Sequence, residues 1–224
     1  PVGNGTNYTP LELTFNSLSN SGTFTVSSSN GKHPNIGTSL LNSDKSVNSY
    51  WTLNNTGATF TSVDGTFGFP SGLADGGDYL VGLYDGSFWS YPNTTAASST
   101  SVSFGGLGSL PGTATFALAE CEPPTIALGT NPVVCEGTVS TELPYSAVTG
   151  SPVEYSIDFD ATAEGQGFYD VDWGSLPENL ISITVPDGAS PGTYNATLIV
   201  RTEVDCESTG DVFTITIDPL PTAS

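Results

Sequence analysis

Apolar and polar residues alternate with a period of two along almost the whole chain, and helical periodicity is nearly absent. Leu11, Leu13 and Phe15 alternate with Glu12 and Thr14, and Phe24 and Val26 alternate with Thr23 and Thr25. Such alternation puts one set of side chains on a buried sheet face and the other in solvent. In the first half it predicts further strands over 47–53, 58–69 (broken at Asp64-Gly65), 79–84, 87–91, 99–104 and 113–118. In the second half it predicts seven short strands, over 125–128, 142–148, 153–159, 168–173, 180–185, 193–202 and 212–217. Turn clusters rich in Ser, Asn, Gly and Pro, such as 28–31 and 70–72, separate them. The sharpest local signal is LVGLYDGSFWSY, 80–91, where Asp85-Gly86 between two apolar runs predicts a two-residue hairpin with a type I′ turn.

This pattern predicts an all-β protein of two tandem β-sandwich domains, the second immunoglobulin-like. In PGTYNATLIVR, Tyr194 opens the longest alternating strand. Two readings stay open for it, a tyrosine corner pinning the neighbouring loop or a half-buried strand aromatic. The domain boundary falls at 120–124, because Cys121-Glu-Pro-Pro cannot continue a sheet interior and two prolines make a stiff linker. The domains are therefore expected at 1–120 and 121–221.

The end of the chain repeats that junction. FALAECEPPTIA (116–127) and FTITIDPLPTAS (213–224) align without gaps, with Phe, Pro and Thr coinciding. Each reads as a last strand, an acidic linker, a proline and a Thr. In this reading 222–224 begin a following repeat. Cys121 faces Asp218 in the alignment and so stands outside the repeating unit, whereas Cys135 and Cys206 lie inside the second domain.

Composition narrows the function. The chain carries 26 Gly and 16 Pro, above the roughly 12% combined share of an average domain, which suits strands and tight turns. Charged residues are few and almost all acidic, 23 Asp+Glu against Lys32, Lys45 and Arg201, for a net charge of −20. Phosphate binding needs clustered Lys and Arg, so nucleic acid is excluded as a partner, as are anionic membrane surfaces. Divalent cations and neutral partners such as glycans remain. No Met, signal peptide or long apolar run is present. The chain is accordingly expected to be a segment of a longer or processed polypeptide, with no direct membrane insertion. Three cysteines without metal-type spacing, and a single His, make zinc a poor fit. One disulfide with one cysteine left over is the economical reading, and it implies an oxidising, extracellular setting. The residues leave three pairings open. Cys135 with Cys206 closes a loop of roughly 72 residues, worth about 4.4 kcal/mol in loop entropy.

The second half, with LPYSAVTGSPVEYSIDFDATAEGQGF, LPENLISITVPDGASPGTYNATLIVR, a Cys-x-Ser and a closing FTITIDPLP, resembles the PKD-like/Ig-like repeats of giant surface proteins of Bacteroidota. The first half, with PVGNGTNYTPLELTF, GKHPNIGTS, KSVNSYWTL and VGLYDGSFW, resembles a β-sandwich module that precedes such repeats. The resemblance covers nearly the whole chain. It implies type IX secretion, a cell-surface location and a scaffold or adhesive role like that of gliding adhesins, with neighbouring repeats of the same polypeptide as partners. It also implies a disulfide between Cys135 and Cys206, with Cys121 departing from the pattern.

Candidate chemistry is sparse. His33, in Lys32-His33-Pro34-Asn35, is the only histidine. A loop histidine hydrogen-bonded locally is its ordinary reading. Nucleophilic serine chemistry lacks a second base, and paired carboxylates lack cationic partners for glycosidase work. No catalytic activity is expected. The run DFDATAEGQGFYDVDW supplies Asp158, Asp160, Glu164, Asp170 and Asp172 within fifteen residues, a candidate calcium set if a Gly-rich hairpin brought them together. Asp75-Gly-Gly-Asp78 is a smaller one. A solvated acidic face is the competing explanation of both. Phe88 and Trp89 are expected on opposite faces, so one should be exposed. Trp89 and Tyr91 are candidate ligand-binding aromatics, with core packing the alternative, and Tyr50-Trp51 pose the same choice. Asn4, Asn7, Asn54, Asn93 and Asn195 match Asn-x-Ser/Thr, as chance allows in a chain rich in those residues.

These readings converge on a non-catalytic stalk or adhesin segment of a long extracellular surface protein. One alternative is a carbohydrate- or peptide-binding module with an aromatic site on the first domain, contacting glycans or other surface proteins. The other is a filament subunit assembling by strand donation.

Overall fold

A computed structural model describes residues 2–5 and 7–221, and the expected repeat start at 222–224 lies outside these described residues. The chain is nearly all β and divides into two compact units, Pro1–Glu122 and Pro123–Ser224.

The strands of the first unit are β1 (Gly3–Asn4), β2 (Asn7–Tyr8), β3 (Leu11–Asn20), β4 (Thr23–Asn30), β5 (Leu41–Ser46) and β6 (Ser49–Thr56). They continue with β7 (Thr59–Gly68), β8 (Leu80–Tyr84), β9 (Trp89–Ser90), β10 (Asn93–Ala97), β11 (Ser101–Leu107) and β12 (Thr113–Cys121). Apart from the short β1–β2 ribbon they build two antiparallel sheets, ordered β10-β11-β7-β3 and β4-β6-β12-β8-β9, with β5 also pairing β12. The inward residues of both sheets meet in one core. Trp51, Phe67, Phe104 and Phe116 fill its centre, and Phe67 lies 4.9, 5.7 and 5.2 Å from the other three rings.

Strand β7 runs unbroken where the sequence predicted an interruption at Asp64-Gly65. A Cβ on Gly65 would sit 2.4 Å from the Phe104 ring. The glycine makes room for that ring inside a continuous strand rather than marking a turn.

The outer face of the six-stranded sheet is only half bare. The loop after β4, with a 3-10 turn at Ile36–Thr38, folds over Ala117 and Ala119. Together with Leu41, Leu80, Trp89 and Tyr91 it makes a second, smaller core. This cover ends at His33.

The second unit comprises β13 (Thr125–Leu128), β14 (Val133–Cys135), β15 (Ser140–Thr149), β16 (Glu154–Phe159), β17 (Val171–Ser175), β18 (Leu180–Thr184), β19 (Gly192–Arg201) and β20 (Asp211–Asp218). Its sheets are β13-β15-β18 and β14-β20-β19-β16-β17. The first strand passes from one sheet to the other and then runs parallel to the last, Val133 opposite Thr216. This is the immunoglobulin-like sandwich expected from the sequence. Leu143, Ile157, Ile181, Leu198, Phe213 and Ile215 form its core, and 213–217 lie in β20 paired with β19.

Tyr194 is a tyrosine corner: its ring is buried, and its hydroxyl donates to the Ser190 carbonyl at 2.6 Å. Tyr194→Phe is expected to destabilise by about 1 kcal/mol, the net worth of one such bond. Urea denaturation measures this, and an unchanged midpoint would contradict it.

The expected disulfide between Cys135 and Cys206 is corrected. Cys121, the last residue of β12, and Cys206, in the loop between β19 and β20, are the bonded pair, and Cys135 is a free, exposed thiol. Cys135 ends β14 pointing outward beside Asp218, its register partner. Cys206 is turned into the protein instead, held by its own amide on Thr202 Oγ1 and by its carbonyl on the Thr202 amide. Arg201, the only arginine, braces that loop. It pairs with Glu154 at 2.6 Å and Asp205 at 3.1 Å and stacks over Trp173 at 4.2 Å.

Among the described residues no helix is long and apolar enough to cross a membrane.

Candidate functional site

The outer face of the six-stranded sheet carries a groove of about 360 Å³ where the covering loop stops. Its position follows from strand parity. On β6, Trp51 and Leu53 point into the core, so Tyr50 and Thr52 point out. On β12, Ala114 and Phe116 point in, so Thr113 and Thr115 point out. Cross-strand pairing then sets Thr52 beside Thr115, and Thr115 beside Tyr84 of β8. The groove therefore has a hydroxyl floor and a wall of His33, Tyr50 and Tyr84, with Asp85-Gly86 at one rim.

His33 organises the wall. Its ring meets Tyr50, Tyr84 and Trp89 edge-on at 5.2, 5.5 and 4.9 Å. The Asn35 amide donates to Nδ1 at 3.1 Å, which places the proton on Nε2, and Nε2 donates to Thr115 Oγ1 at 2.9 Å. The Thr115 hydroxyl passes the chain on to the Tyr84 carbonyl at 3.4 Å. The Asn35 amide demands an unprotonated Nδ1 and so a neutral imidazole, and burial lowers the His33 pKa from its ordinary value. The local hydrogen bond expected of this residue is present, but the residue is buried rather than a free loop side chain.

Trp89 and Tyr91 flank this wall without forming its open surface. The Trp89 indole lies over Gly82 and donates to the Asn35 carbonyl and to Thr38 Oγ1, both at 3.2 Å. The Tyr91 hydroxyl accepts from the Leu40 amide at 2.6 Å. Both rings are half-buried against the covering loop. The exposed aromatic of this hairpin is Phe88, at 76%.

The hairpin itself differs from the two-residue turn. Tyr84 pairs with Trp89, so the loop has four residues. The Asp85 carboxylate accepts from the amides of Ser87 and Phe88, both at 2.8 Å. These bonds hold its pKa below the usual carboxylate value. This side-chain turn competes successfully with the tighter backbone turn, while Gly86 supplies the required positive φ of 104°.

The second domain's acidic run does not assemble as a calcium set. A single helical turn, Ala161–Glu164, replaces the expected hairpin, and Asp160 caps it by accepting from Thr162 and Ala163 at 3.0 and 2.8 Å. The other Asp160 oxygen accepts from Asn195, and this bond, first, with the Ala163 amide, lowers its pKa. Asp170 accepts from the Phe159 amide at 2.8 Å. Asp158 sits within β16 opposite Thr197, Asp172 lies on β17, and Glu164 is exposed at the end of the helical turn. Among the described residues no three of His, Cys, Asp and Glu are grouped to hold a metal ion. Asp160 and Asp170 cap and brace the backbone instead. An open groove of about 680 Å³, with Tyr155, Phe159, Val171 and Ile183 in its lining, lies between the edge strands β17 and β18.

Tyr50 and Thr52 of β6, Tyr84 of β8 and Thr113 and Thr115 of β12 were not singled out together by sequence reasoning. The signal was present, since hydroxyl-bearing residues recur at outward positions of SYWTLN and TATF. What was missing was the order of strands in the sheet.

Fold and groove together define a two-domain β-sandwich protein with an aromatic-walled, hydroxyl-floored site on an open sheet face. No family model matches the chain, and no curated protein matches it. Among solved structures, it is similar to the glycoside hydrolase domain of Endo-D from Streptococcus pneumoniae R6, at 11% identity and a TM-score of 0.29. That match covers 92% of this chain, and the chain spans 37% of the other. A likeness of that size transfers neither fold nor activity.

Proposed function

We propose that the chain is a non-catalytic, adhesive segment of an extracellular protein and that its first domain binds a glycan in the groove beside His33. The carrying observation is the pairing of Tyr50 and Tyr84 with a floor of Thr hydroxyls in one concave site. Sugar rings present apolar C–H faces and a rim of hydroxyls. Aromatic π-faces match the former, and hydroxyl groups the latter. The disulfide fits the oxidising compartment that such a role requires. A strongly acidic chain with three basic residues favours a neutral partner.

A glycan array probed with the intact chain tests the reading. Reproducible binding is expected, weakened about tenfold, or about 1.4 kcal/mol, by Tyr50→Ala or Tyr84→Ala. Tyr84→Phe, which keeps the ring, should bind nearly as well. A blank array, or binding indifferent to both alanine variants in folded protein, would sink the proposal.

A further inference from the structure

We infer that the bare sheet face running away from the groove is a platform for the internal stretch of a neutral, linear polysaccharide. The inference rests on the groove reading above and names its ligand class. Three cross-strand rows of outward side chains cover this face. Nearest the groove lie Ser27, Thr52 and Thr115, ending at Tyr84. Next come Thr25, Asn54 and Thr113, the last donating to Asn54 Oδ1 at 2.8 Å. Thr23 opposite Thr56 closes the array.

Two features decide the occupant. The first is charge. None of the rows contains Asp, Glu, Lys or Arg, although the chain holds 23 acidic residues. The opposite outer face shows the contrast, with Glu12 and Asp64 lining a depression there. Among the described residues lining the groove the only carboxylate is that of Asp85, already engaged by two backbone amides. An anionic polymer would meet a protein of net charge −20 without a cation in the rows, and a cationic one would find no anion there. A neutral polyol finds hydroxyl and amide groups throughout.

The second is extent. From Tyr50 to Thr56 along β6 the platform runs about 20 Å, at the usual rise of ~3.3 Å per strand residue. That is longer than a single sugar ring needs, and the rows stay open to solvent, since Thr23, Thr25, Ser27 and Thr56 are exposed. A chain lying along them continues past the aromatic wall instead of ending in it.

Calorimetric titration of the intact chain with neutral gluco-, manno- and xylo-oligosaccharides, from disaccharide to hexasaccharide, tests the inference, with polygalacturonate as the charged comparison. Affinity is expected to rise at least about tenfold from disaccharide to hexasaccharide in one of the series. Thr25→Lys and Thr56→Lys should erase that gain and leave disaccharide binding unchanged, and polygalacturonate should not compete. If a disaccharide binds as tightly as its hexasaccharide and both lysine variants are silent, the platform is overturned while the groove stands. If none of the sugars binds, groove and platform fall together.

Discussion

Cys206→Ala lowers the stability of the second domain by about 4 to 5 kcal/mol, whereas Cys135→Ser leaves it unchanged. The bonded pair closes a loop of roughly 86 residues, from Cys121 to Cys206 inclusive, and chain entropy puts such a loop near 4.6 kcal/mol. Most of that loop is the second sandwich, from β13 to β19. Loss of the bond therefore enlarges the unfolded ensemble of that domain. Cys135 contributes nothing comparable, because its exposed thiol ends a three-residue edge strand. Urea unfolding, read by hydrogen exchange in peptides of β16 and β19, separates the outcomes. Equal losses from Cys135→Ser and Cys206→Ala would contradict the pairing.

Trp51→Ala costs the first domain about 3 to 5 kcal/mol, the range for emptying a large aromatic site in a packed core. Trp51 is fully buried, and its indole N–H donates to the Thr9 carbonyl at 2.9 Å. Thr9 is itself buried, with its hydroxyl 2.6 Å from that of Ser28. The indole thus ties the segment before β3 to the centre of the sheet. Trp51→Phe separates the two contributions, since it keeps most of the ring and abandons the carbonyl. Its cost should be about 1 to 3 kcal/mol. The same strand carries Tyr50 and Thr52 outward, so Trp51→Ala should also weaken the proposed glycan binding under conditions where the domain is only partly folded. A loss below about 1 kcal/mol on Trp51→Ala would show that the site collapses around the deletion.

Much of this protein was legible as a string. Alternation marked most of the strands in both domains, but it left open which of Tyr50 and Trp51 faces the core. The strands it missed, β1, β2, β5 (LNSDKS), β10 (NTTAA) and β14 (VVC), are polar or at most three residues long and lack a full period. The helical turn at Ala161–Glu164 was missed because four residues carry no helical repeat. Its signal was the capping aspartate, Asp160, which had been grouped with metal ligands. The four-residue hairpin was missed because an Asp side chain substituted for the backbone in closing the turn.

What the sequence determined by itself is parity: which residues of a strand share a face. A period of two is a property of the local backbone and needs no partner. What only the tertiary structure decided is adjacency. Tyr50, Tyr84 and Thr115 share a groove because β6, β12 and β8 lie side by side, an order set by how two sheets bury their apolar faces together. Cys206 is turned into the second sandwich for the same kind of reason, while Cys135 points outward. Parity is local and readable; neighbourhood comes from packing residues far apart in the chain.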